Sequence, residues 1–378
     1  NSAARPFILD MAASPGGKTT HLTALTNDCG LILANDSSRA RIPPLQTVLR
    51  KWGAINQCVT CLPGEVFGQL YSDHFDAVLL DAPCSMQGLR TSESHAPRGI
   101  TQSEIESLSV RQRRLLESAL RAAKTGGQIV YATCTLAPQE DELVLEETLE
   151  RFRGLIQIDD VRNRLPAAAP ALKMVDDKHL AEEISHALRL WPHTLGTAGF
   201  FAARLTKLAD LPSSDYSQLR KISGSTLFTS ASPKLSSTVV AQIKDAYGFE
   251  LTALMDKHRL ALALRKGRIS LIPERLMSEY LQFPILSAGM EIGKLVEGKF
   301  LPTHEFIARF GDQFTRGVLT LDEPLVDAWT RGEDLRGFNC AEAAKGKIYA
   351  IRDRCGRNLG CGKLLEGRLK NMLPTHLF

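Results

Sequence analysis

The stretch Ile8-Leu9-Asp10-Met11-Ala12-Ala13-Ser14-Pro15-Gly16-Gly17-Lys18-Thr19 decides the fold. A short apolar run ends in a turn of small residues and glycines. An apolar helical spacing follows at Leu22 and Leu25. Strand, tight loop and helix N-terminus in that order open the nucleotide site of a doubly wound α/β sheet. Glycines let the main chain approach a ligand, and free N–H groups at a helix start favour an anionic one. The spacing excludes two common loops. The phosphate loop of an NTPase needs an earlier glycine where Met11 and Ala12 stand, and the Gly-x-Gly-x-x-Gly dinucleotide pattern is absent. Taken alone, the turn is equally well an ordinary βα connection that binds nothing.

Strand and helix signals alternate outward from this turn. Helices are predicted over Thr19–Thr26, Arg41–Trp52, Ser103–Ala123 and Glu140–Arg151, the third ended by Gly126-Gly127. Strands are predicted over Leu31–Asp36, Gln57–Leu62, Phe75–Leu80, Gln128–Thr133 and Gly199–Leu205. Such alternation predicts a mostly parallel, doubly wound, Rossmann-like first domain over residues 1–208. Leu211-Pro212-Ser213-Ser214-Asp215 reads as a linker that opens a small α+β region over 209–284. From 285 to 378 the pattern turns to short β segments punctuated by glycine, which predicts a small β-rich domain.

Bulk properties narrow the function. A hydrophobic content of 44% with 23% charged residues is that of an ordinary globular protein. No apolar run approaches the ~18 residues of a membrane span, so no membrane partner is expected. No leader stands at the start, and Asn1 reads as the edge of a trimmed chain. Eight cysteines without a framework spacing predict reduced thiols and a cytoplasmic location. Cys58-Val-Thr-Cys61 has zinc-like spacing but lies in a strand-like run, so packing rather than metal is expected. The net charge of +4 is mild, yet Lys345–Lys370 gathers eight Lys and Arg against Asp353 and Glu366, a footprint compatible with RNA.

The chemistry lies at strand ends. Asp36 follows the glycine turn by about the ~20 residues at which a ribose-binding carboxylate stands, although it would also serve as a helix cap. Asp81-Ala82-Pro83-Cys84 and Thr133-Cys134-Thr135 each put a cysteine after a strand, on the sheet edge that carries the glycine turn. A thiolate adds readily to C6 of a pyrimidine, which makes C5 able to take a methyl group from a sulfonium donor. A second group must then assist release, and Asp81 is placed to hold the N3/N4 edge of a cytosine.

These motifs, with Asn35-Asp36, Ser38, Arg41, Leu190-Trp191-Pro192-His193 and Gly199-Phe200-Phe201, resemble those of the RNA cytosine-5 methyltransferases, most of all the bacterial RsmF type acting on small-subunit ribosomal RNA. Gly360-Cys361-Gly362-Lys363 and Leu369-Lys370-Asn371 with Pro374 resemble the PUA-like RNA-binding tail of that type. The resemblance implies S-adenosyl-L-methionine as cofactor, held by Ala12, Ala13, Ser14, Pro15, Gly16, Gly17 and Lys18, with Asp36 on the ribose and Arg41 and Asp81 supporting. It implies Cys134 as nucleophile, Cys84 as the releasing group and Asp81 on the cytosine. RNA, ribosomal RNA or the small subunit, is the implied partner of a monomer with no metal. The chain departs from the family at Pro63, where an Asp is usual, and in the loop Met86–His95. Those departures motivate a rival reading, an RNA-binding protein that keeps the fold and has lost activity, and within enzymes the rival is a methyltransferase acting on an exocyclic amine or on protein.

Overall fold

The computed structural model describes residues 5–88, 99–165, 167–212, 228–279, 283–340 and 343–374. They form two compact units. The first comprises 1–22, 30–45 and 59–223, the second 23–29, 46–58 and 224–378.

In the first unit, β1 (Phe7–Asp10), β2 (Leu31–Asn35) and β4 (Phe75–Asp81) lie side by side in parallel, with β3 (Gln57–Thr60) beyond β2 and β5 (Ala123–Thr133) parallel to β4. Every residue of β1 and β2 is buried, as expected for parallel strands covered on both faces. The helices along this part of the chain are α1 (Gly17–Leu25) and α2 (Ile42–Trp52), whose later residues are counted in the second unit, then α3 (Phe67–Leu70), α4 (Gln102–Ala122) and, after β5, α5 (Glu142–Arg151). Helix α1 starts two residues before the predicted Thr19, so Gly17 and Lys18 belong to its first turn.

Two features differ from the sequence reading. Helix α4 ends at Ala122, and β5 begins at once at Ala123, which is already extended. Gly126-Gly127 therefore does not end the helix. It lies inside β5, where the register against β4 shifts between Phe75 and Ala77, and Gly126 has φ +81°. Glycine marks an irregularity in a strand here, not a helix cap. The late strand, Phe200–Lys207, pairs antiparallel with β5, and Leu188–Leu190 and Ala169–Pro170 extend the sheet antiparallel beyond it. The sheet is thus parallel at the site and antiparallel on one flank.

That flank is anchored by Arg189. Its guanidinium is buried, binds both carboxylate oxygens of Glu142 and donates to Leu136 O at 3.0 Å. Removing one member of such a buried pair typically destabilises by about 3–5 kcal/mol, because the other charge is left alone.

The second unit holds two five-stranded sheets. One contains Thr229–Ser230, Leu260–Arg265, Arg268–Pro273, Met290–Val296 and Lys299–Pro302 in that order. Its pairing of Arg268–Pro273 with Met290–Val296 runs across position 285, so strands from either side of that position share one sheet. The other orders Val318–Leu321, Ile348–Asp353, Asn358–Leu365, Arg368–Asn371 and Leu335–Arg336. Ser213, Ser214 and Asp215 of the expected linker lie outside the described residues.

Candidate active site

The parallel strands deliver their C-terminal ends to one edge. Met11 N donates to Leu79 O at 2.9 Å and Ala13 N to Asn35 O at 2.7 Å, so the glycine turn is tied to β4 and to β2. Asn35 is fully buried and holds three loops together, donating to Met11 O and Leu62 O and accepting from Leu62 N. Asp10 is buried and accepts from Thr19 Oγ1 at 2.6 Å, fastening the turn to α1. Burial pushes its carboxyl up to about 7. The folded protein therefore binds the Asp10 proton more tightly than the unfolded chain does, and stability falls as pH rises from about 4 to about 7. Asp10→Asn is expected to gain on wild type across that interval and to hold a constant advantage above it. Urea midpoints at pH 4, 6 and 8 check this, and a gap that does not widen with pH contradicts it.

Asp36, at the end of β2, is 2% exposed. Its Oδ1 accepts from Ser38 N at 2.9 Å and its Oδ2 from Ser14 N at 3.3 Å, with Arg41 Nε 3.6 Å away. Arg41 also donates to Ser14 O, and Ser14 Oγ donates back to Arg41 O at 2.9 Å. Asp36 is not the helix cap that the sequence left open, since the short helix Arg39–Arg41 has Ser38 at its N-cap and no side-chain cap. The Asp36 side chain braces the turn and also lines a cavity of about 410 Å³. Ala12, Asp36, Arg41, Asp81, Cys84 and Cys134 line that cavity together. Ala13, Ser14, Pro15, Gly16, Gly17 and Lys18, expected on the cofactor, are not among the residues that line it. Lys18 Nζ donates to Asp81 Oδ2 at 2.7 Å and sits over the Phe200 ring at 5.6 Å. Sequence reasoning missed Leu115 and Arg111 of α4 on the cavity wall. Nothing in local spacing announces that a helix distant in sequence closes the site.

The two cysteines meet. Asp81 pairs with Ala132 in the β4–β5 ladder, Ala82 N donates to Ala132 O at 2.8 Å, and Gly88 N donates to Cys134 O at 3.0 Å. This register carries Cys84 Sγ to 3.2 Å from Cys134 Sγ, and Cys134 N donates to Cys84 Sγ at 3.3 Å. Both thiols are free and partly exposed. The hydrogen bond from Cys84 holds the Cys134 thiol below its ordinary value. The same bond, helped by burial, pushes the Cys84 thiol up. Of the two, Cys134 is the thiol that gives up its proton more readily. By contrast, Cys58 is a core residue whose thiol burial pushes up to about 12.

The sequence model of the family described as 16S rRNA methyltransferase RsmB/F matches residues 1–206. The chain belongs to that family. The ribosomal RNA small subunit methyltransferase F of Aeromonas salmonicida is 31% identical over 98% of this chain and 73% of its own length. Its namesake from Vibrio campbellii is 29% identical over 100% and 75%. Among solved structures, a methyltransferase homologue from Pyrococcus horikoshii is 35% identical, with a TM-score of 0.47 over 54% of this chain and 62% of its own. The methyl donor of this RsmB/F family member is S-adenosyl-L-methionine. The cavity fits a nucleoside of that kind. A buried carboxylate, Asp36, faces it for a pair of hydroxyls, and Met11 and Leu115 give apolar wall for a flat ring. Gly64 lets the main chain pack against that wall, since a Cβ there would stand 2.6 Å from Leu115. Pro63 is exposed and caps the turn Gly64–Val66, so this chain has no carboxylate at the family's usual position. Of the loop Met86–His95, residues 89–95 lie outside the described residues. Among the described residues no helix is long and apolar enough to cross a membrane.

Proposed function

We propose that the chain methylates C5 of a cytosine in RNA, through a covalent bond between Cys134 and C6 of the base. One observation carries this reading, the two thiols 3.2 Å apart on the wall of the cavity that Asp36 also lines. A methyltransferase acting on an amine or an oxygen has no use for a nucleophilic sulfur, and still less for two.

The donor supplies an electrophilic methyl group on a sulfonium when bound. Asp36 would hold its ribose hydroxyls, and the main chain of Ala12–Gly17 would flank it. The Cys134 thiolate adds to C6 and drives electron density to C5, which takes the methyl group. Asp81, fixed by Lys18, holds the N3/N4 edge of the cytosine. A water molecule takes the C5 proton, the electron pair of the C6–S bond returns to Cys134 as that bond breaks, and the Cys84 thiol hydrogen-bonds the departing sulfur. C5 and C6 must be reached from the ring face, so the target cytosine is unpaired or flipped out.

The RNA reading draws on the family and on the C-terminal sheet. There Lys363 stands directly opposite Lys370, and Arg336 opposite Arg368, all on the sheet face away from Leu364 and Leu369. Like charges opposite one another destabilise a sheet, and phosphates relieve the repulsion. Arg368 also pairs with Asp334 at 3.4 Å, and much of the rest of the basic stretch is neutralised at home, as in Lys345–Glu366, Arg354–Asp322 and Arg357–Asp353. We assign residues 1–208 to catalysis, 209–284 to a connecting α+β region and 285–378 to a PUA-like RNA-binding domain, all in the cytoplasm, with small-subunit ribosomal RNA as the substrate.

Calorimetry with S-adenosyl-L-methionine tests the first requirement. Wild type is expected to bind, and Asp36→Ala about 10–100-fold more weakly, as a lost hydrogen bond to a charged group implies. No detectable wild-type binding would favour the RNA-binding protein without activity. Bisulfite mapping of ribosomal RNA from cells with and without the gene reads the product, and an unchanged cytosine map overturns the C5 assignment.

A further inference from the structure

The two sulfurs come from different turns, and their separation depends on what joins those turns. Ser85 makes two of the links. Its Oγ lies 3.0 Å from Thr135 Oγ1, and its N donates to Glu140 Oε2 at 2.9 Å. Glu140 is fully buried. The same Oε2 accepts a second bond, from Gln112 Nε2 of α4 at 2.9 Å, and Gln112 Nε2 also donates to Pro83 O at 2.9 Å. Tyr131 OH donates to the main-chain oxygen of Glu140 at 2.5 Å and fixes that residue to β5. Gln112 and Glu140 therefore grip Pro83-Cys84-Ser85 from two sides.

The neighbouring acids do other work. Asp141 accepts from Thr133 Oγ1 at 2.6 Å, and Glu142 is taken by Arg189. Of these three consecutive buried carboxylates, Glu140 is the one that bonds to the Cys84 turn. Its Oε1 has no hydrogen-bond partner among the described residues. All of its bonding passes through one acceptor oxygen, which a glutamine would present equally well.

We propose that Glu140, with Gln112, is a positioning residue that sets the separation of the Cys84 and Cys134 sulfurs. It touches neither sulfur and acts through Ser85 and Pro83. The inference rests on the two-cysteine reading above, and its first test needs no RNA.

That test is the pH dependence of Cys134 alkylation by iodoacetamide, followed by peptide mass. Cys84, Asp81 and Lys18 are the titratable groups that act on Cys134. Ser85, Gln112 and Tyr131 face Glu140, with Asp141, Glu142 and Arg189 beside it. Glu140→Ala releases the Cys84 turn, so Cys134 loses its proton donor and the alkylation midpoint moves to higher pH. Glu140→Gln keeps the acceptor oxygen and the wild-type midpoint. Gln112→Met removes the second grip and moves the midpoint in the same direction as Glu140→Ala, which keeps the test open if the alanine variant fails to fold. In single-turnover methylation, Glu140→Ala is expected to lose about 100-fold, the cost of a misplacement of about 1 Å, with KM for RNA little changed and Glu140→Gln restoring the rate. Wild-type alkylation profiles in folded Glu140→Ala and Gln112→Met overturn the proposal. So does a Glu140→Gln protein that behaves like the alanine variant, because the charge would then be what matters. Should the profile move while Cys134→Ala still methylates, the positioning role stands and the two-cysteine chemistry falls.

Discussion

Cys134→Ala is expected to lower methyl transfer by on the order of 10⁴-fold or more, the loss seen when a covalent nucleophile is removed from a group that acts as a unit. The effect follows from chemistry before geometry. C5 of cytosine is a poor nucleophile until a group adds at C6, and the Cys134 sulfur is the one that the surroundings favour as a thiolate. Binding should survive, because the groups around the proposed donor site, Asp36 and the turn over Ala12–Gly17, lie on other strands. The variant should therefore keep its affinity for S-adenosyl-L-methionine by calorimetry while tritium transfer from labelled donor to RNA disappears. A variant that methylates at the wild-type rate refutes the cysteine mechanism and returns the chain to amine or protein methylation, which needs no nucleophilic sulfur.

Much of the proposed site can be read from the chain because each strand ends in a residue assigned to it. Asp36 and Cys134 follow β2 and β5, Asp81 ends β4, and a parallel sheet brings such ends to one edge. The glycine turn is legible for a similar reason, since main-chain approach needs small residues. What spacing does not encode is contact across the edge. Lys18 looks like a ligand-binding lysine in sequence, yet it reaches Asp81, 63 residues away. Glu140 looks like the first acid of a helix, yet it lies in the turn before α5 and its carboxylate holds Ser85. Gln112 is a polar residue on an amphipathic helix, where a solvated position is the ordinary expectation, and it is fully buried.

The misread helix end has a physical cause as well. Gly126-Gly127 reads as a helix stop because glycine ends helices more often than it interrupts strands, but Ala123 is already extended and paired with Phe75. Long-range strand pairing overrides a local signal there.

Cys84→Ala should give the opposite phenotype to Cys134→Ala, a protein that captures RNA and does not let it go. Cys134 keeps its own route to C6, so addition and methyl transfer proceed. Release then lacks the thiol that lies 3.2 Å from the departing sulfur. Turnover is expected to fall by about 10²–10⁴-fold, the range of a proton-transfer contribution, while a protein–RNA adduct stable to denaturing electrophoresis accumulates. The pH dependence gives an independent check. The Cys84 hydrogen bond is the leading influence holding the Cys134 thiol down, so its removal moves the thiol up, and adduct formation in Cys84→Ala should reach half its maximal rate at a higher pH than single-turnover addition in wild type. The Cys84→Ala, Cys134→Ala double variant supplies the control. It should form no adduct, since the nucleophile is gone. An adduct in the double variant would assign the covalent bond to another residue, and wild-type turnover without adduct in Cys84→Ala would remove Cys84 from the release step.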